Sequence, residues 1–171
     1  LSNLDVSNNT VLTTLDCSNN QLNSLNLNGT IALIDLWANH NQLTSLDIST
    51  NTVLTTLECN YNQLTILDVR NGNNTNMITF WAFDNLNLFC IDVDDAAWST
   101  ANWTVANGNI DPQSSFSLNC IVPGCTDTLA CNYDLLATVD DSSCMYLDII
   151  AVPTSVSCFG MFDGSISATA T

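Results

Sequence analysis

Leucine recurs along the first half of the chain at a fixed interval. Leu1, Leu12, Leu22, Leu33, Leu43, Leu54 and Leu64 stand 10 or 11 residues apart, so two half-units make a period of 21 residues. Each half-unit reads Leu-x-x-Leu-x-apolar, with Asn, Ser and Thr filling most of the space between. One class contains Leu4/Val6, Leu25/Leu27, Leu46/Ile48, Leu67/Val69 and, after a slip, Ile91/Val93. The other contains Leu15/Cys17, Leu36/Ala38, Leu57/Cys59 and Phe80/Ala82. Apolar residues two apart belong to a short strand, since a helix needs spacings of three and four sustained for longer. Self-similarity at a fixed period predicts a solenoid, in which turns too small to bury their own apolar face stack and share one core.

Asn20, Asn41, Asn62 and Asn85 fall at corresponding places after one class of half-unit. At a tight bend the strand no longer satisfies its own amides, and a short side chain with donors and an acceptor does so instead. A buried Asn ladder is therefore expected at one corner. With these residues in place, "LTTLDCSNNQL", "LIDLWANHNQL" and "LTTLECNYNQL" resemble the leucine-rich repeat family over residues 1–93. The resemblance implies a mainly β, parallel-stranded solenoid with too few residues per turn for a regular helix on its convex side.

The repeat decays near residue 93. Asp94 or Asp95 is expected to N-cap a short helix over 96–102, which would lay Trp98 and Trp103 on the open end of the stack. Residues 94–120 are read as this cap. Cys90 and Cys120 bracket the segment, and their pairing would tie the cap to the last turn.

Charge narrows the partners. The 171 residues carry 17 acidic side chains and one basic one, Arg70, for a net charge of −16. Phosphates find nothing here to neutralise them, which excludes nucleic acid and anionic membrane surfaces. No apolar run is long enough to span a bilayer. The chain opens inside a repeat, as expected of an internal piece of a longer protein. Of eight cysteines, Cys90, Cys120, Cys125, Cys131, Cys144 and Cys158 lie in the later part without a nearby His, which points to disulfides and an oxidising, extracellular compartment. Cys17 and Cys59 occupy inward positions two turns apart, about 9.6 Å at strand spacing, and are expected to be buried free thiols.

Between the inward residues, Asp5, Asn26, Asp47, Asp68 and Asp92 form one outward row, and Asp16, Trp37, Glu58 and Trp81 form another. The acidic row reads either as a cation-binding or partner-binding face or as a solvated, aggregation-resistant surface. Trp37 and Trp81 each precede an alanine where neighbouring turns have cysteine. Two readings stay open for them: indoles on a rigid face for a ligand or partner, or local packing over a small neighbour. His40 aligns with Asn19 and Tyr61 at a turn, and no nucleophile or orienting acid is spaced to work with it.

Residues 121–147 contain "GCTDTLACNYDLLATVDDSSC", which resembles a short cysteine-rich repeat of large secreted bacterial surface proteins, with Ser142 where a Gly is usual. Cys125, Cys131 and Cys144 supply staples of undetermined connectivity. Asp127, Asn132, Asp134, Asp140 and Asp141 gather oxygen ligands of the kind calcium prefers, without the EF-hand order. Residues 148–171 contain "VSCFGMFDGSISATAT", which resembles the opening of a repeat of SprB-type gliding adhesins, the beginning of a β-sandwich-like unit with a turn at Asp163-Gly164 and a strand from Ser165 to Thr171. With no catalytic constellation in view, the expected role is non-enzymatic: a segment of an extracellular adhesin or filamentous appendage offering a rigid protein-protein surface and able to self-assemble. The alternative is a recognition module, with a glycan on the Trp37/Trp81 face flanked by Asp16 and Glu58, and calcium in the acidic loop.

Overall fold

Each apolar trio builds a strand three residues long. In the computed structural model these are β1 (Asn3–Asp5), β2 (Thr14–Asp16), β3 (Ser24–Asn26), β4 (Asp35–Trp37), β5 (Ser45–Asp47), β6 (Thr56–Glu58), β7 (Ile66–Asp68), β8 (Thr79–Trp81) and β9 (Cys90–Asp92). The described residues are 1–121, 123–134, 137–146, 149–154 and 165–170. All of these strands pair in parallel, and each pairs with the strand one full turn away. β2, β4, β6 and β8 form one sheet; β1 pairs with β3, and β5, β7 and β9 continue the odd-numbered class. The result is a β-solenoid of about five turns.

Register keeps like beside like. Leu15, Leu36, Leu57 and Phe80 are successive partners in one sheet, and Leu46 and Leu67 in the other, with Ile91 next to Leu67. The leucines between strands, Leu22, Leu33, Leu43, Leu54, Leu64 and Leu88, are fully buried and complete one continuous core. A slip of one residue would turn a whole strand's apolar set to solvent, which is why the period is kept so strictly.

Two polar ladders close the corners. Asn41, Asn62 and Asn85 each accept a bond from the backbone N–H of a leucine one turn back, Leu22, Leu43 and Leu64, at 2.9 to 3.0 Å. Their amide nitrogens donate to carbonyls of their own and the preceding turn. Asn20, on the first turn, is exposed, and its side chain donates to carbonyls of its own turn, Cys17 and Ser18. The second ladder was not evident from the periodicity. Thr30 donates to the Leu27 carbonyl, Asn51 to the Thr30 carbonyl and hydroxyl, and Asn71 to the Asn51 carbonyl.

The C-terminal end of the stack is closed by dedicated groups. Asp95 accepts from the backbone N–H of Ala97 and Trp98, starting α1 (Ala96–Asn102). Asp94 instead serves the preceding corner, accepting from the Gly72 and Asn74 amides. Trp103, 5% exposed, stacks on Phe80 with ring centres 4.0 Å apart, and Trp98 meets it edge-on. Beyond the helix, Asn109 and Asp111 take the place of a further turn beside β8. The Asn109 carbonyl accepts from the Ala82 N–H, and the Asp111 carboxylate accepts from the Asp84 and Asn85 amides. β10 (Ser115–Ser117), which no sequence signal marked, adds to β9 in parallel. A Cys90–Cys120 disulfide ties this closure to the last turn.

Residues 1–120 and 121–171 form two separate units. In the second, β11 (Pro123–Gly124) pairs in parallel with β12 (Val139–Asp140), and β13 (Ile149–Thr154) pairs antiparallel with β14 (Ser165–Ala170). Cys125 is joined to Cys144, leaving Cys131 exposed as a free thiol. Cys158 and the Asp163-Gly164 turn lie outside the described residues. Among the described residues no helix is long and apolar enough to cross a membrane.

Candidate functional site

The two outward rows have different local chemistry. Along the odd-numbered strands the carboxylate or amide closing each strand accepts the backbone N–H two residues on: Asp5 from Ser7, Asn26 from Asn28, Asp47 from Ser49 and Asp68 from Arg70. These are Asx turns, which bend the chain out of the strand and explain the Asp and Asn at this position. Asp92 ends the row differently, accepting from the Cys120 amide at 2.7 Å. The bonds from Ser7 hold the Asp5 carboxyl below the ordinary carboxylate value. Arg70, the chain's single cation, lies along this row. Its guanidinium donates to both Asp68 oxygens at 2.9 and 2.6 Å and to the Leu118 carbonyl, with the Asp92 carboxylate 3.7 Å away. Those carboxylates raise its pKa further above its ordinary value, Asp68 most.

On the sheet of even-numbered strands the rule holds once and then stops. Asp16 accepts from the Ser18 amide and hydroxyl, and these bonds lower its pKa. Its partners in register are Trp37, Glu58 and Trp81, one per strand, none of which closes an Asx turn. The four predicted face residues are therefore brought into one line across adjacent strands. Trp37 is half-buried, and its indole N–H donates to Glu58 Oε1 at 3.2 Å. Trp81 is 40% exposed. Ala38 and Ala82 are fully covered beneath.

A second line of aromatic residues runs beside the first. His40, at a left-handed corner position shared with Asn19, Tyr61 and Asp84, stacks on Tyr61 with centres 4.2 Å apart and planes 9° from parallel. Tyr61 meets Phe83 edge-on at 5.5 Å, and Phe83 approaches Trp81 at 6.5 Å. The sequence contained a signal for this, aromatic rings 21 and 22 residues apart, which only the corner geometry converts into contact. His40 is engaged in stacking. Asn60, two residues after Glu58, is 5% exposed, and among the described residues its side-chain oxygen has no hydrogen-bond partner.

The acidic side chains of the second unit bond to nearby backbone and side chains. Asp127 accepts from the Leu129 amide and the Tyr146 hydroxyl, which lower its pKa. Asn132 bonds the Ser143 carbonyl and the Met145 amide. Asp140 and Asp141 close Asx turns on Ser142 and Ser143, while Asp134 lies against Gly124. Among the described residues no three His, Cys, Asp or Glu side chains form a metal-holding group.

No protein-family model, curated protein or solved structure matches the chain.

Proposed function

We propose that this chain is a non-catalytic contact segment of an extracellular bacterial surface protein of adhesin or appendage type, built from leucine-rich-repeat turns followed by a cysteine-rich module. Its contact face is the sheet of β2, β4, β6 and β8, and its partner is a protein. One observation carries the reading: on this sheet the Asx turn that ends every odd-numbered strand from β1 to β7 is given up at Trp37, Glu58 and Trp81, and aromatic rings collect there. A repeat that departs from its own local rule on one side only is keeping something other than the fold. The two disulfides support an oxidising compartment.

Display of the full chain on a bacterial surface tests this in a flow cell. Cells carrying the wild-type chain are retained on protein-coated glass above the level of empty cells, and a Trp37→Ala/Trp81→Ala double variant, matched for display level, returns retention to that level. Equal retention by the double variant would remove the contact face. Retention confined to glycan-coated glass would move the reading to glycan recognition.

A further inference from the structure

We propose that the contact face takes arginine side chains, so that its partner is a basic protein surface presenting guanidinium groups. This rests on the contact reading above and names the partner's chemistry. The charged groups in the line across β2, β4, β6 and β8 are carboxylates only, Asp16 and Glu58, on a chain of net charge −16.

The molecule itself shows how such a row seats a guanidinium. On β7, Asp68 is followed two residues later by Arg70, whose fork closes on both Asp68 oxygens and reaches toward Asp92 on the next strand. On β6 the corresponding pair is Glu58 and Asn60. There the cation is replaced by a neutral amide whose own oxygen is unpartnered and buried. Among the described residues the Glu58 carboxylate accepts one hydrogen bond, from the Trp37 indole. A carboxylate therefore stands where Asp68 on the other sheet is neutralised by Arg70, and among the described residues no ion pair reaches it.

Trp37 and Trp81 flank that carboxylate on the two adjacent strands. Strand spacing is about 4.8 Å, so a guanidinium on Glu58 lies within about 6 Å of an indole, the reach of a cation–π contact. A planar fork that pairs with a carboxylate while stacking on a ring favours Arg over Lys.

The test uses the full chain and a blocked nine-residue peptide with three arginines, titrated at about 0.15 M salt so that exposed charges more than a Debye length apart are screened. Saturable binding is expected, weakened about fivefold or more by Glu58→Gln and by Trp81→Ala. Asp47→Asn makes the same charge change on the other sheet and should stay within about twofold, as a screened distant charge does. The lysine version of the peptide should bind at least about threefold more weakly. Equal losses from Asp47→Asn and Glu58→Gln would reduce the effect to diffuse attraction and overturn the proposal. So would equal binding of the lysine peptide, no saturable binding, or saturation by neutral cellohexaose or chitohexaose with loss of the exposed tryptophan emission. If the peptide fails while Trp37 and Trp81 still govern retention on protein-coated glass, the contact face stands and its arginine partner falls.

Discussion

Asn62 meets the needs of three chain segments from one side chain. Its oxygen takes the Leu43 amide, and its nitrogen serves the carbonyls of Ala38 and Cys59 at 3.0 to 3.1 Å, all in a buried corner. Asn62→Leu would leave the Leu43 amide buried without its acceptor and take one of the bonds from the Ala38 and Cys59 carbonyls, which keep Asn41 and Asn85, a loss of about 2 kcal/mol at roughly 1 to 3 per orphaned group. Asn20→Leu, at the exposed first turn, should cost less than about 1 kcal/mol, since water replaces the lost bonds. Chemical denaturation of the two variants measures the gradient, and equal losses would mean the ladder is not what closes the corner. The inward cysteines are set by the same burial. It pushes the Cys59 thiol up to about 12 and, with the nearby Asp16 charge, the Cys17 thiol up to about 11. Both therefore stay protonated and unreactive at neutral pH. Alkylation of the native chain at pH 8 followed by peptide mapping should label Cys131 and spare Cys17 and Cys59 until denaturant is added.

At the scale of the element, the strands were legible because a period of two survives even in three residues, and the Asn corner because it repeats with the leucines. The Asx turns were not, although Asp-x-Ser or Asp-x-Arg follows several strands. Read as a surface row, the aspartates suggested charge; in the fold they are acceptors for their own backbone. β10 was invisible for a different reason, since Ser115–Ser117 becomes a strand only through pairing with β9, far away in sequence. The turns make a pH prediction with a definite sign. The Ser18 hydroxyl and amide bonds hold the Asp16 pKa below its ordinary 3.8, so the stability they add is present above that value and is lost as pH falls through the lowered one. The difference in melting temperature between wild type and Asp16→Ala should be constant from pH 7 to about pH 5 and shrink below about pH 4. A difference that persists unchanged at pH 2 would show that the carboxylate is not the acceptor that matters. At the capped end, Asp95→Ala removes the acceptor for the Ala97 and Trp98 amides and should cost about 1 kcal/mol.

At the scale of the whole solenoid, stability is a sum over turns and the interfaces between them, because each turn meets only its neighbours. Leu33 to Val53 is one complete 21-residue period, and its removal joins Ala32 to Leu54, placing an equivalent leucine where the lost one stood. The corner chemistry rejoins as well: Asn62 takes the place of Asn41 below Leu22, and Asn71, next in the second ladder, takes the place of Asn51 beside Thr30. The shortened chain should fold, with the same cap and disulfides, and unfold with a smaller denaturant dependence in proportion to the surface lost. Removing residues 33–52 instead deletes one residue fewer and reverses inside and outside for the strands next to the junction, driving leucines into solvent and polar residues into the core. That variant should fail to give a cooperative transition. If both deletions fold equally well, the turns are not interchangeable units held by register, and the stacking that places Trp37, Glu58 and Trp81 in line would need another cause. If both fail, the turns are not additive, and the stack depends on a feature of the excised turn that its neighbours lack.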